Sequence, residues 1–234
     1  MFMGDSFCAA HGIENVNDRY SDIVRKKLPV DFLSVNAAFP GADTRIEFRE
    51  VLNAPRKPDF LVFSYYPNDI QPAGVESGIP LEVRDPYNEM NFISAWMIRH
   101  SFFLNYFYWY GPVQSDLGGY KEFLETCYAD SLTFSKHRSD LEKVILWSRE
   151  NGVKLYFVLF PMPDDDKGSD FALAPVREIL RRDSVPFFDT TPSILSLPRS
   201  ERFVNVNDGH PGKKVHAIVA DSVFAFMQRN HWTE

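Results

Sequence analysis

The sequence predicts an α/β protein, a three-layer α/β/α sandwich built around a central parallel sheet. Two observations carry that reading. Strand-like and helix-like segments alternate along the chain, and such alternation implies parallel strands joined by crossover helices on both faces. The run Asp59 to Tyr66 (DFLVFSYY) is also apolar enough to be buried on both sides, as strands of a parallel sheet are.

The elements follow in order. Met1-Phe2-Met3 is a clipped first strand. A helix is expected from Asn17 to Lys27, a strand from Val30 to Asn36 and a helix from Arg45 to Asn53. After the Asp59 strand the rhythm breaks between Gln71 and Tyr128. That stretch opens on a Pro/Gly-rich loop and turns strongly aromatic from Phe92 to Tyr110 (FISAWMIRHSFFLNYFYWY). It approaches the length of a membrane span, but Arg99, His100 and Asn105 interrupt it. A helix packed on the sheet, a lid or acceptor-binding wall, and a membrane contact are all open to it. The alternation resumes with a helix from Thr133 to Glu150, stopped by Asn151-Gly152. A strand over Val153 to Phe160, a helix over Phe171 to Arg182, a short strand over Val185 to Phe188 and a last helix over Lys213 to Arg229 complete the chain. The 234 residues read as one domain, 1–234, with an aromatic helical insertion at about 71–128.

Composition excludes some classes of function. The net charge of −7 leaves no basic footprint for nucleic acid and no polybasic surface for a membrane. The two cysteines, Cys8 and Cys127, form neither a disulfide framework nor a metal pattern, and Cys8 reads as a small packing residue. A buried first strand usually has about five residues, so the short start raises the expectation of a natural chain with an N-terminal strand and an anchor. The compartment stays open between cytoplasm and cell envelope.

Three short pieces carry chemistry. Gly4-Asp5-Ser6 ends the first strand, and a serine on a strand-to-helix turn exposes its hydroxyl where backbone N–H groups point outward. Such a serine also simply caps helices. Asn68-Asp69 follows the Asp59 strand. The Asn68 amide can donate to a developing oxyanion, Asp69 is expected to cap the next segment, and both can be plain turn residues. Asp208-Gly209-His210-Pro211 lies in a turn-rich loop ahead of the last helix. His210 is a candidate base for Ser6. Asp208, two residues earlier, can hold one ring nitrogen, or can serve only to shape the turn. Gly41, in the loop after the second strand, lets a backbone N–H approach closely.

Gly4-Asp5-Ser6-Phe7 followed by His11-Gly12-Ile13 resembles the opening motif of the SGNH (GDSL-type) hydrolases. Asn36 to Thr44 resembles that family's glycine block, and Pro58 to Val62 with Asn68-Asp69 its asparagine block. Asp208 to Pro211, with His216 and Ala220, resembles its C-terminal block. The resemblance spans nearly the whole chain and implies a flavodoxin-like fold. It further implies a Ser6–His210–Asp208 triad and an oxyanion hole from the N–H groups of Ser6 and Gly41 with the Asn68 side chain. Two departures stand out. Tyr66 occupies the place where the family often has glycine. Many members keep the acid three residues before the His, which is Asn207 here, while others keep it two before, at Asp208. Asp5, Tyr66 and Asp69 are candidate substrate-binding residues, and His216 reads as structural.

The activity so implied is hydrolysis of carboxylic esters through an acyl-enzyme, with no metal or organic cofactor. The substrate is a small-molecule or glycan ester, and removal of small acyl groups from carbohydrates fits the family. An acyltransferase using the same triad and a catalytically silent carbohydrate-binding or scaffold module are the alternatives. A nucleotide-binding reading is weak, because no Gly-rich phosphate loop follows the first strand.

Overall fold

The computed structural model describes residues 1–81, 90–110, 119–162, 165, 167, 169–205 and 208–233, with the side chains of 107–110 left out. The central sheet is parallel, in the order β1 (Phe2–Met3), β2 (Phe60–Tyr65), β3 (Lys154–Leu159), β4 (Phe187–Asp189). Phe2 pairs with Val62, Leu61 with Leu155, and Phe157 with Phe187. A two-stranded antiparallel ribbon, β5 (Phe203–Asn205) and β6 (Asp208–Pro211), stands apart from it. The helices are α1 (Ser6–Ala9), α2 (Tyr20–Lys27), α3 (Thr44–Asn53), α4 (Gln71–Glu76), α5 (Phe92–His100) and α6 (Phe102–Tyr110). They continue with α7 (Tyr120–Ala129), α8 (Ser131–Glu150), α9 (Asp170–Arg182), α10 (Thr191–Leu195), α11 (Arg199–Arg202) and α12 (Lys213–Arg229).

Strand alternation splits the apolar side chains between two cores. Leu61, Phe63, Tyr65, Leu155, Phe157 and Leu159 face α3, α8 and α9. Val62, Tyr156 and Val158 face α2 and α12, where Tyr20, Val24, Val215, Val219 and Val223 are buried. These two cores with the sheet between them are the three layers the sequence predicts. A third cluster, from Ile70 and Ala73 to Phe123, Leu124 and Cys127, seats α4 against α7.

One predicted strand shrinks. Of Val30 to Asn36, only Asn36 forms a bridge, to Phe2. A turn closed by the Phe32 N–H on the Pro29 carbonyl takes up the first residues, and Val30 and Leu33 are exposed. The partner strand β1 offers two residues, so there is no longer ladder to join. The predicted Asn17 helix also breaks: a single 3₁₀ turn over Val16–Asp18 ends at Arg19, which is extended, and α2 starts after it. In the aromatic stretch, α5 and α6 expose Phe92, Trp96, Phe102 and Phe103. No helix among the described residues is long and apolar enough to cross a membrane.

The rudimentary strand at Asn36 lies on one side of β1 and β2 on the other, so the loops after them diverge around the end of β1. In open α/β sheets that divergence leaves a crevice at the carboxyl ends of the strands. Gly4 closes the wall of this crevice. A side chain there would meet Cys8 Cβ at 2.6 Å and Ser64 Cβ at 2.7 Å. Gly4→Ala is therefore expected to destabilise the fold by about 1–3 kcal/mol, read as a lowered urea midpoint. An unchanged midpoint would show that the β1–α1 turn can move away from β2.

Candidate active site

Ser6 begins α1 directly after β1 and is 9% exposed. The helix is one turn long, and Asp5 caps it: Oδ1 of Asp5 accepts the Phe7 N–H at 2.8 Å. The other Asp5 oxygen accepts from the Asn68 amide at 3.4 Å. Burial pushes the Asp5 carboxyl up to about 6, against the two hydrogen bonds that favour its charged form. Asn68 lies in a 3₁₀ turn, Pro67–Ile70, immediately after β2. Its NH₂ group has a second N–H available beyond the one given to Asp5.

His210 is carried on β6, which packs against α1. The His210 ring centre lies 5.5 Å from that of Phe7, one residue beyond Ser6. Asp208 Oδ1 accepts both the His210 backbone N–H at 3.0 Å and its Nδ1–H at 2.5 Å. The two-residue spacing produces this local turn, in which one carboxylate oxygen serves both donors. A neutral ring that donates Nδ1–H to Asp208 keeps its lone pair on Nε2. Burial raises the Asp208 carboxyl, but the two His210 hydrogen bonds together with the nearby His210 and His11 rings hold the group below the ordinary carboxylate value. The acid at hand for His210 is therefore Asp208; Asn207 lies outside the described residues.

The glycine block is tied in by its backbone. The Phe39 N–H donates to the Gly4 carbonyl at 3.2 Å, and Asn36 donates to the Cys8 carbonyl at 2.9 Å. Gly41 itself is exposed, with φ of 79° and open space where a side chain would start. The left-handed backbone here favours glycine, and no other part of the protein crowds the position. Tyr66 stacks on Phe7 with ring centres 3.9 Å apart, so it forms a wall next to the serine turn where a glycine would leave a gap.

Asp69 does not cap a helix. It is buried, and Oδ2 accepts the Thr44 hydroxyl at 3.0 Å while Oδ1 has no partner. Glu47 of α3 is 0% exposed, and neither of its carboxyl oxygens has a partner. Burial first, and then the neighbouring Asp69, push Glu47 well above the carboxylate range; burial and Asp5 do the same to Asp69. Asp5, Asp69 and Glu47 thus form an acidic group beneath the serine turn, screened from solvent. Sequence reading had no signal for Glu47, an ordinary polar residue of a helix by pattern. His11 is a second omission: its ring centre is 4.7 Å from that of His210.

Two further residues behave as read. Cys8 is buried with Sγ 2.9 Å from the Tyr20 hydroxyl, and burial pushes its thiol up to about 12. His216 is buried in α12, accepts the Tyr20 N–H at 3.4 Å, and is held neutral by burial, down to about 4. A cavity of about 770 Å³ between α3 and α8 is lined by Arg45, Glu76, Lys136 and Asp140. Arg45 pairs with Glu76 and Asp140, Lys136 donates to the Ser77 hydroxyl, and the cavity holds none of the Ser6, Asn68 or His210 groups.

Comparison with solved structures identifies the fold as that of the SGNH (GDSL-type) hydrolases. TesA superposes with a TM-score of 0.58 at 14% identity, covering 97% of each chain. A member of the lipolytic protein G-D-S-L family from Veillonella parvula gives 0.52 at 11% identity, again over 97% of each. Axe2, an acetylxylan esterase from Geobacillus stearothermophilus, gives 0.53 at 14% identity, over 97% of this chain and 91% of its own. No protein-family model and no curated protein matches the chain.

The acidic group makes a prediction about stability. With carboxyl pKa values raised by folding, the folded protein keeps protons that the unfolded chain releases from about pH 4 upward. The stability tied to those protons is complete below that pH and is lost as pH rises. Glu47→Gln removes one titrating group, so the fall in unfolding free energy between about pH 5 and about pH 8 should be smaller than in wild type. Urea titrations at the two pH values measure it; an equal fall in both proteins would mean Glu47 ionises normally.

Proposed function

We propose that the chain is a serine hydrolase acting on carboxylic esters. The observation that carries the reading is the Asp208–His210 pair, hydrogen-bonded at 2.5 Å on a strand packed against the helix that Ser6 begins. In this reading Nε2 of His210 takes the Ser6 hydroxyl proton as Oγ bonds to the ester carbonyl carbon. Negative charge moves to the carbonyl oxygen, where the N–H groups of Ser6 and Gly41 and the free N–H of Asn68 receive it. The imidazolium, steadied by the Asp208 carboxylate, then protonates the leaving alkoxide as the C–O bond breaks. Water attacks the acyl-enzyme with His210 again as base, which releases the acid and restores Ser6.

Asp5 contributes by placement: it holds the α1 turn and the Asn68 amide to one another. Tyr66 bounds the acyl or alcohol side of the crevice and, with Asp69 and Asp5 buried, is the member of that trio placed to touch substrate. The fold neighbour Axe2 acts on acetylated xylan by its name, and a small acyl group on a carbohydrate is the substrate class we favour. The exposed aromatic rings of α5 and α6 favour a second reading, acyl transfer in which a sugar hydroxyl replaces water. Product analysis with and without a glycan acceptor separates the two.

Hydrolysis of p-nitrophenyl acetate tests the assignment. Ser6→Ala should abolish turnover and labelling by a fluorophosphonate probe. Asp208→Asn should leave the fold intact and lower kcat on the order of 10³-fold or more, because it removes the carboxylate that stabilises the imidazolium. Equal labelling of wild type and Ser6→Ala would remove Ser6 from the mechanism. Folded wild type that neither hydrolyses esters nor labels would favour a silent binding module.

A further inference from the structure

His11 is exposed, sits on the turn that follows α1, and plays no part in the chemistry above. Its placement is nevertheless tightly determined. The next residue, Gly12, packs so close to Asp208 that a side chain on it would meet Oδ2 at 2.6 Å. The turn is therefore seated on the Asp208 carboxylate, and it brings the His11 ring within 4.7 Å of the His210 ring, centre to centre. One ligand atom each from His11, Asp208 and His210 lie within 4.8 Å of one another.

We propose that His11, Asp208 and His210 bind a divalent transition metal of the zinc type, and that its occupancy blocks the hydrolase. The inhibitory half of this rests on the reading of His210 as the base; the binding half does not. Two imidazoles and one carboxylate suit Zn²⁺, Co²⁺ or Ni²⁺, whereas Mg²⁺ and Ca²⁺ select all-oxygen sets. Donors about 2.1 Å from a tetrahedral metal stand roughly 3.4 Å apart. A rotation of the exposed His11 side chain closes the remaining gap, and water completes the coordination. The nitrogen of His210 that faces Asp208 is Nδ1, so a metal shared by the two replaces the Nδ1–H bond to Asp208 and leaves the ring's proton on Nε2. Nε2 then has no lone pair to accept the Ser6 proton, so the base is lost while the metal stays, and a chelator restores it.

Binding is measured first, by titrating Zn²⁺ into the Ser6→Ala protein in a calorimeter. A single saturable site per chain is expected, weakened by about tenfold or more in Ser6→Ala/His11→Ala and in Ser6→Ala/His11→Gln. Mg²⁺ should give no comparable heat. In wild type, the ratio of ester hydrolysis with and without Zn²⁺ should fall on titration and recover with EDTA, and His11→Ala should need about tenfold more Zn²⁺ for the same fall. Equal Zn²⁺ affinity with and without His11, or no saturable binding, overturns the site. Saturable, His11-dependent binding that leaves hydrolysis untouched or raises it overturns the blockade. If wild type hydrolyses no ester, the calorimetric arm still decides the metal site, and only the functional reading of His210 fails.

Discussion

Asp5 is 2% exposed, yet its two carboxyl oxygens hold parts of the chain that lie far apart in sequence: the Phe7 N–H two residues on, and the Asn68 side chain sixty-three residues away. A one-turn helix such as α1 cannot sustain itself, because fixing its first turn costs more than one hydrogen bond returns. The Asp5 cap and the burial of Phe7 and Cys8 against the second core hold that turn in place. Gly4 permits this by letting the turn close on Ser64 of β2 without a side chain between them. The orientation of Ser6 and the position of Asn68 both depend on this junction, and so does the wall that Tyr66 builds by stacking on Phe7.

The chemistry is divided between a rigid and a separate part. Ser6 and Asn68 follow sheet strands β1 and β2, next to the packed cores on either face of the sheet. Asp208 and His210 come from a small ribbon outside the sheet, held by a turn of their own and pressed onto α1. The Asp208–His210 dyad is organised locally, whereas the Ser6–Asn68 half is joined by Asp5 across the sequence. What the fold adds is the approach of one half to the other, with Gly12 and Asp208 as a point of close contact.

Beneath this surface the protein keeps three carboxyl groups away from water. Burial raises all three, and for Asp69 and Glu47 the neighbouring carboxylates raise them further, because full ionisation would bury like charges next to one another.

Ser6, Asn68, Asp208 and His210 were legible as candidates because each stands in a short local pattern, a strand end, a turn or a two-residue spacing, and the order of those patterns along the chain joins them. The long helices and the buried strands were legible for the same reason, since apolar runs and stop signals act over a few residues. The Val30 to Asn36 segment misled because its apolar residues resemble a strand, while the number of rungs available to it is set by the two-residue β1 across the gap. Asp69 misled because a turn residue after a strand is ordinarily a cap, and only the approach of α3 shows that Thr44 is its partner. The nearness of Glu47 to Asp69, the grip of Asp5 on Asn68 and the meeting of His11 with His210 all involve residues from different elements. Local sequence patterns specify each partner without specifying the pair; the distance between them follows from the packing of helices on the sheet, and tertiary structure alone decides it.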